Sequence, residues 1–390
     1  MNISHLAAAQ PLNLGAQIRA KNRLYFAPMG LDLCSELGMP RPEFEQVYQS
    51  LMDGGCGFGF LGNATVDETS RYNGRGLKLT SMAHAEALRP IFQSALDRGF
   101  PLGLQLQHYG PQGMPVGDNA VIPSPSGIPS RASARYPHAR TVAMTQEQIF
   151  SCIRQFSSAA QLAVAAGATL LQIQASNGYL ISSFLSPRTN RRVDDWGGTP
   201  LKRAKLLLSI IQEIRKVTNG QATLTVRLGI DDGFGSDGQQ VELLGDVACA
   251  LKESGIAAIT CSIGVSETFG KFFSDREQAI NISRRGSRFL KRIAGLPTGF
   301  TGSIPSISVA NEIIESGDAD FVGFARAVLA DNNLVKKELA GREDEVTRCL
   351  WDSNCFRDKR ASPATRVYCC VNPAYKRPRK LQIYYKENPA

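Results

Sequence analysis

The chain has 390 residues, 43% of them apolar, enough to bury a large core as one large domain or two ordinary ones. No stretch approaches the roughly 18 consecutive apolar residues of a membrane span, and the N-terminal MNISHLAAAQPLNLGAQ lacks a basic region leading into an apolar one, so the expectation is a soluble, cytoplasmic protein without a membrane partner. The net charge of +9 is dispersed in short clusters such as SRRGSRFLKR and YKRPRK, which argues against nucleic acid as a partner and leaves anionic small ligands open.

In chain order, short β-rich apolar runs alternate with amphipathic helical ones. RLYFAPM comes first, followed by CGFGFLGNATV, PLGLQLQH, ATLLQIQ, ATLTVRLGI, IAAITCSIG, LPTGFTGSI and ADFVGFAR. These runs read as parallel strands buried on both faces. After the third, TQEQIFSCIRQFSSAAQLAVAAG opens with a Thr145 to Gln148 capping box and closes on Gly167, where the chain can turn left-handed. After the fourth, PLKRAKLLLSIIQEIRKV carries an apolar stripe of Leu201, Ala204, Leu208 and Ile211. Eight such alternations predict an α/β fold, a single-domain (β/α)8 TIM barrel over residues 1–344. A doubly wound sheet is the rival, but no G-x-G-x-x-G follows any of the strands.

Two segments break the repeat. GPQGMPVGDNAVIPSPSGIPSRASARYPHART, rich in Pro, Gly and Ser, follows the third strand and is expected to lie over the active site, with a plain connector as the alternative. Residues 345–390 form a C-terminal extension without barrel periodicity that holds four of the nine cysteines. Nine scattered cysteines do not make a disulfide scaffold in a chain this long; they favour a reducing compartment, where a cysteine cluster signals metal or redox chemistry.

In such barrels the C-terminal strand ends carry the chemistry. That makes candidates of Gln105 and His108, of Gln174, Asn177 and Tyr179, and of Arg227. After the seventh strand come Gly302 and Ser303, and after the eighth Gly323 through Ala325 to Arg326: small residues, backbone N–H groups and an arginine, where barrels commonly bind phosphate.

Together these segments resemble the Old Yellow Enzyme family of flavin-dependent ene-reductases, which includes the 2,4-dienoyl-CoA reductases and trimethylamine dehydrogenase. The likeness rests on NRLYFAPMG, GLQLQHYG, ASNGYLISSFLSPRTNRRVDDWGGTPLKRAKLLL, VRLG and ADFVGFARAVLADN, in family order across residues 20 to about 375. The resemblance implies noncovalent FMN and hydride from NAD(P)H. Ala27, Pro28 and Met29 would lie against the flavin, Gln105 at its pyrimidine edge, Arg227 near N1 and O2, and Gly302, Ser303, Gly323, Ala325 and Arg326 at the phosphate. In the family the fourth strand ends in His-x-x-Asn-x-Tyr or His-x-x-His-x-Tyr, where the first two side chains hold the substrate carbonyl and the Tyr delivers a proton. Here the positions read Gln174, Asn177 and Tyr179.

Three departures matter. Gln174 can donate a hydrogen bond but cannot carry the positive charge of a histidine. Gly30 stands where relatives often place Thr or Cys against the flavin. In the extension, Cys349, Cys355 and Cys369 resemble three ligands of a 4Fe-4S cluster, but Asp352 stands where trimethylamine dehydrogenase has a further Cys, which leaves open an unusual ligand, a degraded cluster or none. Because the sequence stops at residue 390, the expectation is that electrons come from a free reductant or a redox partner protein. The function expected is reduction of an activated C=C bond in a small-molecule substrate. Flavin-dependent dehydrogenation or isomerisation of a specialised metabolite is the alternative, and a noncatalytic FMN- or phosphate-binding barrel a second. The oligomeric state is left open.

Overall fold

The structure, a computed structural model, describes residues 5–117, 120–360 and 364–387. Eight parallel strands close on themselves: β1 (Leu24–Phe26), β2 (Phe58–Thr65), β3 (Leu102–Gln107), β4 (Leu170–Ala175), β5 (Thr223–Asp231), β6 (Ala258–Ile263), β7 (Thr298–Thr301) and β8 (Phe321–Phe324). Each pairs with the next, and β8 returns to β1 through Val322 opposite Leu24 and Phe324 opposite Phe26. Every strand matches one of the eight apolar runs, β4 and β5 extending one residue beyond theirs. Helices α1 (Pro42–Asp53), α2 (Met82–Asp97), α3 (Gln146–Ala165), α4 (Pro200–Thr218), α5 (Gly245–Glu253), α6 (Arg276–Ala294), α7 (Ile307–Glu315) and α8 (Arg326–Ala330) follow the strands one for one. This is the (β/α)8 barrel.

Alternation along each strand decides what the barrel encloses. Leu24, Phe26, Leu104, Leu106, Leu171, Ile173, Leu224, Val226, Val322 and Phe324 belong to the large core shared with the helices. The intervening Tyr25, Phe58, Phe60, Leu170, Ala258 and Phe321 form a separate cluster inside the barrel. Leu12, Leu14, Ile18 and Ala20 join that cluster from an antiparallel hairpin, Leu12–Leu14 with Ile18–Ala20, which seals the N-terminal end. The inner aromatics interlock, with Tyr25 stacked on Phe58 at 4.9 Å between ring centroids. Toward the C-terminal ends the same inward rows turn polar, through Gln105, Gln107, Gln172, Gln174, Thr225, Arg227, Thr260 and Ser262. The barrel is thus greasy below and polar above.

Local signals hold at α3. Thr145 Oγ1 accepts from the Gln148 N–H, Gln148 Oε1 accepts from the Thr145 N–H, and Gly167 takes φ +102°. On α4 the buried stripe differs in phase from the expected one. Leu201 is exposed and Leu208 only partly buried, while Ala204, Leu207, Ile211 and Ile214 are fully covered. Steps of three and four from Ala204 reach these residues, whereas Leu201 sits exposed on the first turn.

The extension folds back over the C-terminal mouth. Val367 N–H donates to Leu31 O at 3.0 Å, Asn372 Nδ2 to Leu329 O at 2.9 Å, and Arg75 Nη2 to Lys359 O at 3.1 Å. Its Val346, Val367, Cys369 and Tyr375 join the main core, and Arg377 Nε closes on the buried Asp358 carboxylate at 2.6 Å. No helix among the described residues is long and apolar enough to cross a membrane.

Candidate active site at the C-terminal mouth

Three adjoining cavities of about 260, 210 and 110 Å³ open at the polar end of the barrel, and Arg227 and Phe356 line all three. They make one cleft. Pro28, Gly30, Gln105, Gln174, Asn177 and Tyr179 line its smallest part, and Met29, Gly302, Ser303, Gly323, Ala325 and Arg326 its largest. Of the residues expected to hold the cofactor, only Ala27 is absent from the walls: it is buried in the barrel interior just below them.

The register of parallel strands places these side chains. Gln105 lies opposite Gln172, and Gln174 opposite Arg227. Three glutamines form a chain: Gln105 Nε2 donates to Gln172 Oε1 at 2.8 Å, Gln174 Nε2 to Gln105 Oε1 at 3.4 Å, and Gln172 Nε2 to Thr260 Oγ1 at 3.3 Å. Gln174 Oε1 accepts from the Ser176 N–H and hydroxyl. The Gln174 oxygen is therefore turned away, and its amide nitrogen, with one N–H beyond the long contact to Gln105, is the group offered to the cleft.

Asn177 takes φ +62°. Its Nδ2 lies 3.2 Å from Ser262 Oγ and from the carbonyls of Ile263 and Gly264, so both amide hydrogens are directed at the end of β6. The residue lines the cleft, yet its geometry is that of a brace between the β4 and β6 loops. Tyr179 begins the short helix Leu180–Leu185 and meets the Tyr109 ring edge-on at 5.4 Å.

Arg227 carries the main charge of the site. Its Nη2 donates to Ser262 Oγ at 3.1 Å, while its Nε is buried without a partner. Burial lowers its pKa, opposed by the nearby Tyr25 and Tyr179 hydroxyls. A guanidinium stays charged in a protein, so a buried cation with an unmet donor faces the cavity. Across the cleft, Gly302 takes φ +141°, and a Cβ there would meet nothing within 4 Å, which leaves glycine's backbone facing open space. Arg326 lies over the Phe273 and Trp351 rings at 4.7 and 4.8 Å and donates to Ser353 Oγ at 3.0 Å. It reaches the cavity wall already held by the extension.

His108 does not line the cleft. It is buried beside Ser70, Gly110 and Asp67, with its pKa lowered to about 4 by burial. Nor do the described residues of the Pro/Gly/Ser-rich segment after β3 line the cleft; residues 118 and 119 of that segment lie outside the described residues. Its Pro111, Gln112, Ile128, Pro129 and Ser130 instead line a separate pocket of about 50 Å³ against Ser182 and Asp232. The extension occupies the place expected for that loop, through Trp351, Phe356 and Lys359. Sequence reasoning also missed Gln107, Gln172 and Asn63. The two glutamines were within reach, since they lie two residues from Gln105 and Gln174 on the same strand faces.

The sequence profile of the NADH:flavin oxidoreductase / NADH oxidase family matches residues 9–345. The chain belongs to this family. It is 31% identical over 314 residues to an NADPH dehydrogenase of Geobacillus sp. (strain WCH70), covering 80% of this chain and 88% of that protein. Over 359 residues it is 28% identical to an NADH oxidase of Thermoanaerobacter brockii, covering 90% of this chain but 54% of the relative, so the chain spans about half the length of that longer protein. The old yellow enzyme homologue from Zymomonas mobilis shares the fold with a TM-score of 0.72 at 22% identity, covering 88% of this chain and 96% of that one.

The family's cofactor, FMN, fits the donor set. The cleft offers a buried arginine with an unpartnered N–H, a second arginine, a glycine turn facing open space, and no Asp or Glu among its described lining residues. An iron–sulfur cluster does not fit in the same way. Among the described residues no group of three or more His, Cys, Asp or Glu side chains is placed to hold a metal ion. Asp352 is bracketed by Trp351 and Ser353, both at positive φ, and its carboxylate accepts from Asn354 N at 3.1 Å and Asn354 Nδ2 at 2.9 Å rather than completing a ligand set. Cys369 is buried in the core with its sulfur accepting from the Asn372 N–H.

Proposed function

We propose that this family member is an FMN-dependent oxidoreductase that reduces an activated C=C bond, with NAD(P)H as the source of hydride. The observation that carries this reading is the convergence of Gln174 and Tyr179 on one small polar cavity walled by Gln105 and Arg227. FMN, when bound, supplies the hydride relay. Arg227 provides buried positive charge for its polar edge, Gln105 a carboxamide beside it, and Gly302, Ser303, Gly323, Ala325 and Arg326 the phosphate end. The free N–H of Gln174 then faces the substrate's electron-withdrawing oxygen, where a preorganised donor acts on charge as it develops. Asn177 keeps the loop in place from behind, and Tyr179 is the proton donor to carbon.

One observation favours a second reading. No cationic side chain stands at position 174, and Asn177 is directed elsewhere, so oxyanion stabilisation is modest and dehydrogenation of a richer substrate becomes the competitor. Anaerobic stopped-flow spectroscopy separates the two. Flavin bleaching by NADPH or NADH followed by reoxidation with a panel of conjugated carbonyl compounds supports reduction. A flavin inert to both nicotinamides but bleached by amines or alcohols overturns it.

A further inference from the structure

Among the described residues, three cations line the cleft and no carboxylate does. Arg227 and Arg326 come from strand ends, and the third, Lys359, from the extension. Its side chain is only 16% exposed, and its Nζ donates to Gly30 O at 2.6 Å. An ammonium has three N–H donors, and this bond uses one. Asp32 Oδ1 lies 3.5 Å away, but the Asp32 carboxylate also accepts from Asn73 at 2.9 Å and lies 3.8 Å from Arg75. Two cations share one carboxylate, so positive charge is left over at the cavity wall. Gly30 makes the arrangement possible: a Cβ there would come within 3.0 Å of Lys359 Nζ and 3.0 Å of Asn63 Oδ1. The residue that looked like a loss in the sequence is the space the lysine occupies.

We infer that Lys359 anchors an anionic group of the substrate, and that the substrate carries a carboxylate in addition to its reducible C=C. The inference rests on the proposed reaction for where the substrate sits. As a strap, Lys359 ties the extension to the β1 loop through the Gly30 carbonyl and the Asp32 carboxylate, and Arg75 competes for the latter. A partly desolvated ammonium that shares its one carboxylate with Arg75 and otherwise meets the Tyr72 ring at 5.4 Å, in a cleft with no acid among its described lining residues, is suited to an anion, because charge-assisted hydrogen bonds strengthen as water is excluded.

The test is calorimetric titration of the FMN-loaded full-length protein with two saturated rings, 3-oxocyclohexane-1-carboxylate and cyclohexanone. The carboxylate is expected to bind at least about tenfold more tightly, the scale of one charge-assisted hydrogen bond. Lys359→Met should bring the two within about twofold, and Lys359→Arg should keep most of the preference. Gly30→Ala, which retains the lysine but crowds its Nζ, should reduce it several-fold. Limited proteolysis of each variant reports whether residues 345–387 stay docked. Equal binding of the two rings by the unaltered protein overturns the inference, as does a docked Lys359→Met protein that keeps the preference. If Lys359→Met loosens the extension, Lys359→Gln, which keeps a neutral donor for the Gly30 carbonyl, decides: a preference lost supports the anchor, and one retained overturns it. Neither ring contains a C=C, so a lysine-dependent preference without any enone turnover would unseat the proposed reaction and leave the anion site standing.

Discussion

Gln174 Oε1 accepts two hydrogen bonds from one residue, the Ser176 N–H at 3.1 Å and the Ser176 hydroxyl at 2.5 Å. This double acceptance fixes which way the carboxamide faces, and so makes its nitrogen the donor available above Gln105. Gln174→Ala is expected to lower turnover about 10- to 100-fold, or about 1.4–2.7 kcal/mol, the loss of one neutral donor to developing charge. Gln174→His should raise reduction of simple cyclic enones by a similar factor. Rapid kinetics of the oxidative half-reaction on both variants is the measurement, and unchanged rates in both would remove residue 174 from the site.

Tyr179 is assigned the proton, which is needed only when carbon accepts hydride. Tyr179→Phe should therefore slow reoxidation by an enone by about 100-fold, within the range for a general acid, and leave flavin reduction by NADPH nearly unchanged. Equal slowing of both half-reactions would instead mark the residue as part of the flavin's packing against Tyr109.

Arg227 and His108 lie at strand ends on the same rim, but only Arg227 faces the cleft. Arg227→Met should weaken FMN retention by about tenfold or more, since a buried charge-assisted contact is worth about 1.5–3 kcal/mol. His108→Gln should leave it intact. Fluorescence of flavin released on dilution measures both, and equal retention in the two variants would contradict the assigned cleft.

His108 predicts a pH dependence of stability. Its Nδ1 accepts from the Gly110 N–H at 3.0 Å, a bond the protonated ring cannot keep, and burial lowers its pKa from 6.5 to about 4. The folded value lies below the unfolded one, so the unfolded chain takes up the proton first as pH falls. Stability is full above pH 6.5 and declines toward pH 4 by about 3 kcal/mol from this group. Denaturant titrations of His108→Gln should show a shallower decline over that window, and an unchanged slope would mean that other groups govern it.

The extension's cysteines give a compositional prediction. With Asp352 held by Asn354, anaerobically prepared protein should contain well under one iron per chain. Stoichiometric iron and acid-labile sulfide would show that the Cys349 to Cys369 segment rearranges around a cluster.

The eight strands were legible because a strand buried on both faces must be apolar throughout, and that pattern is local. So was the position of most cleft residues, because in a closed parallel barrel the strand ends share one rim: Gln105, Gln174, Arg227 and Arg326 followed from strand order alone. Three things were decided only by tertiary packing. Asn177 keeps its spacing in the sequence, but whether its amide faces a ligand or the carbonyls of Ile263 and Gly264 depends on where the β6 loop lies. Which segment covers the mouth depends on contacts between residues more than 300 positions apart, such as Lys359 with Gly30, and no local pattern encodes them. Gly30 itself shows the limit most clearly. In the sequence it is a missing side chain; in the fold it is room for an ammonium from the far end of the chain.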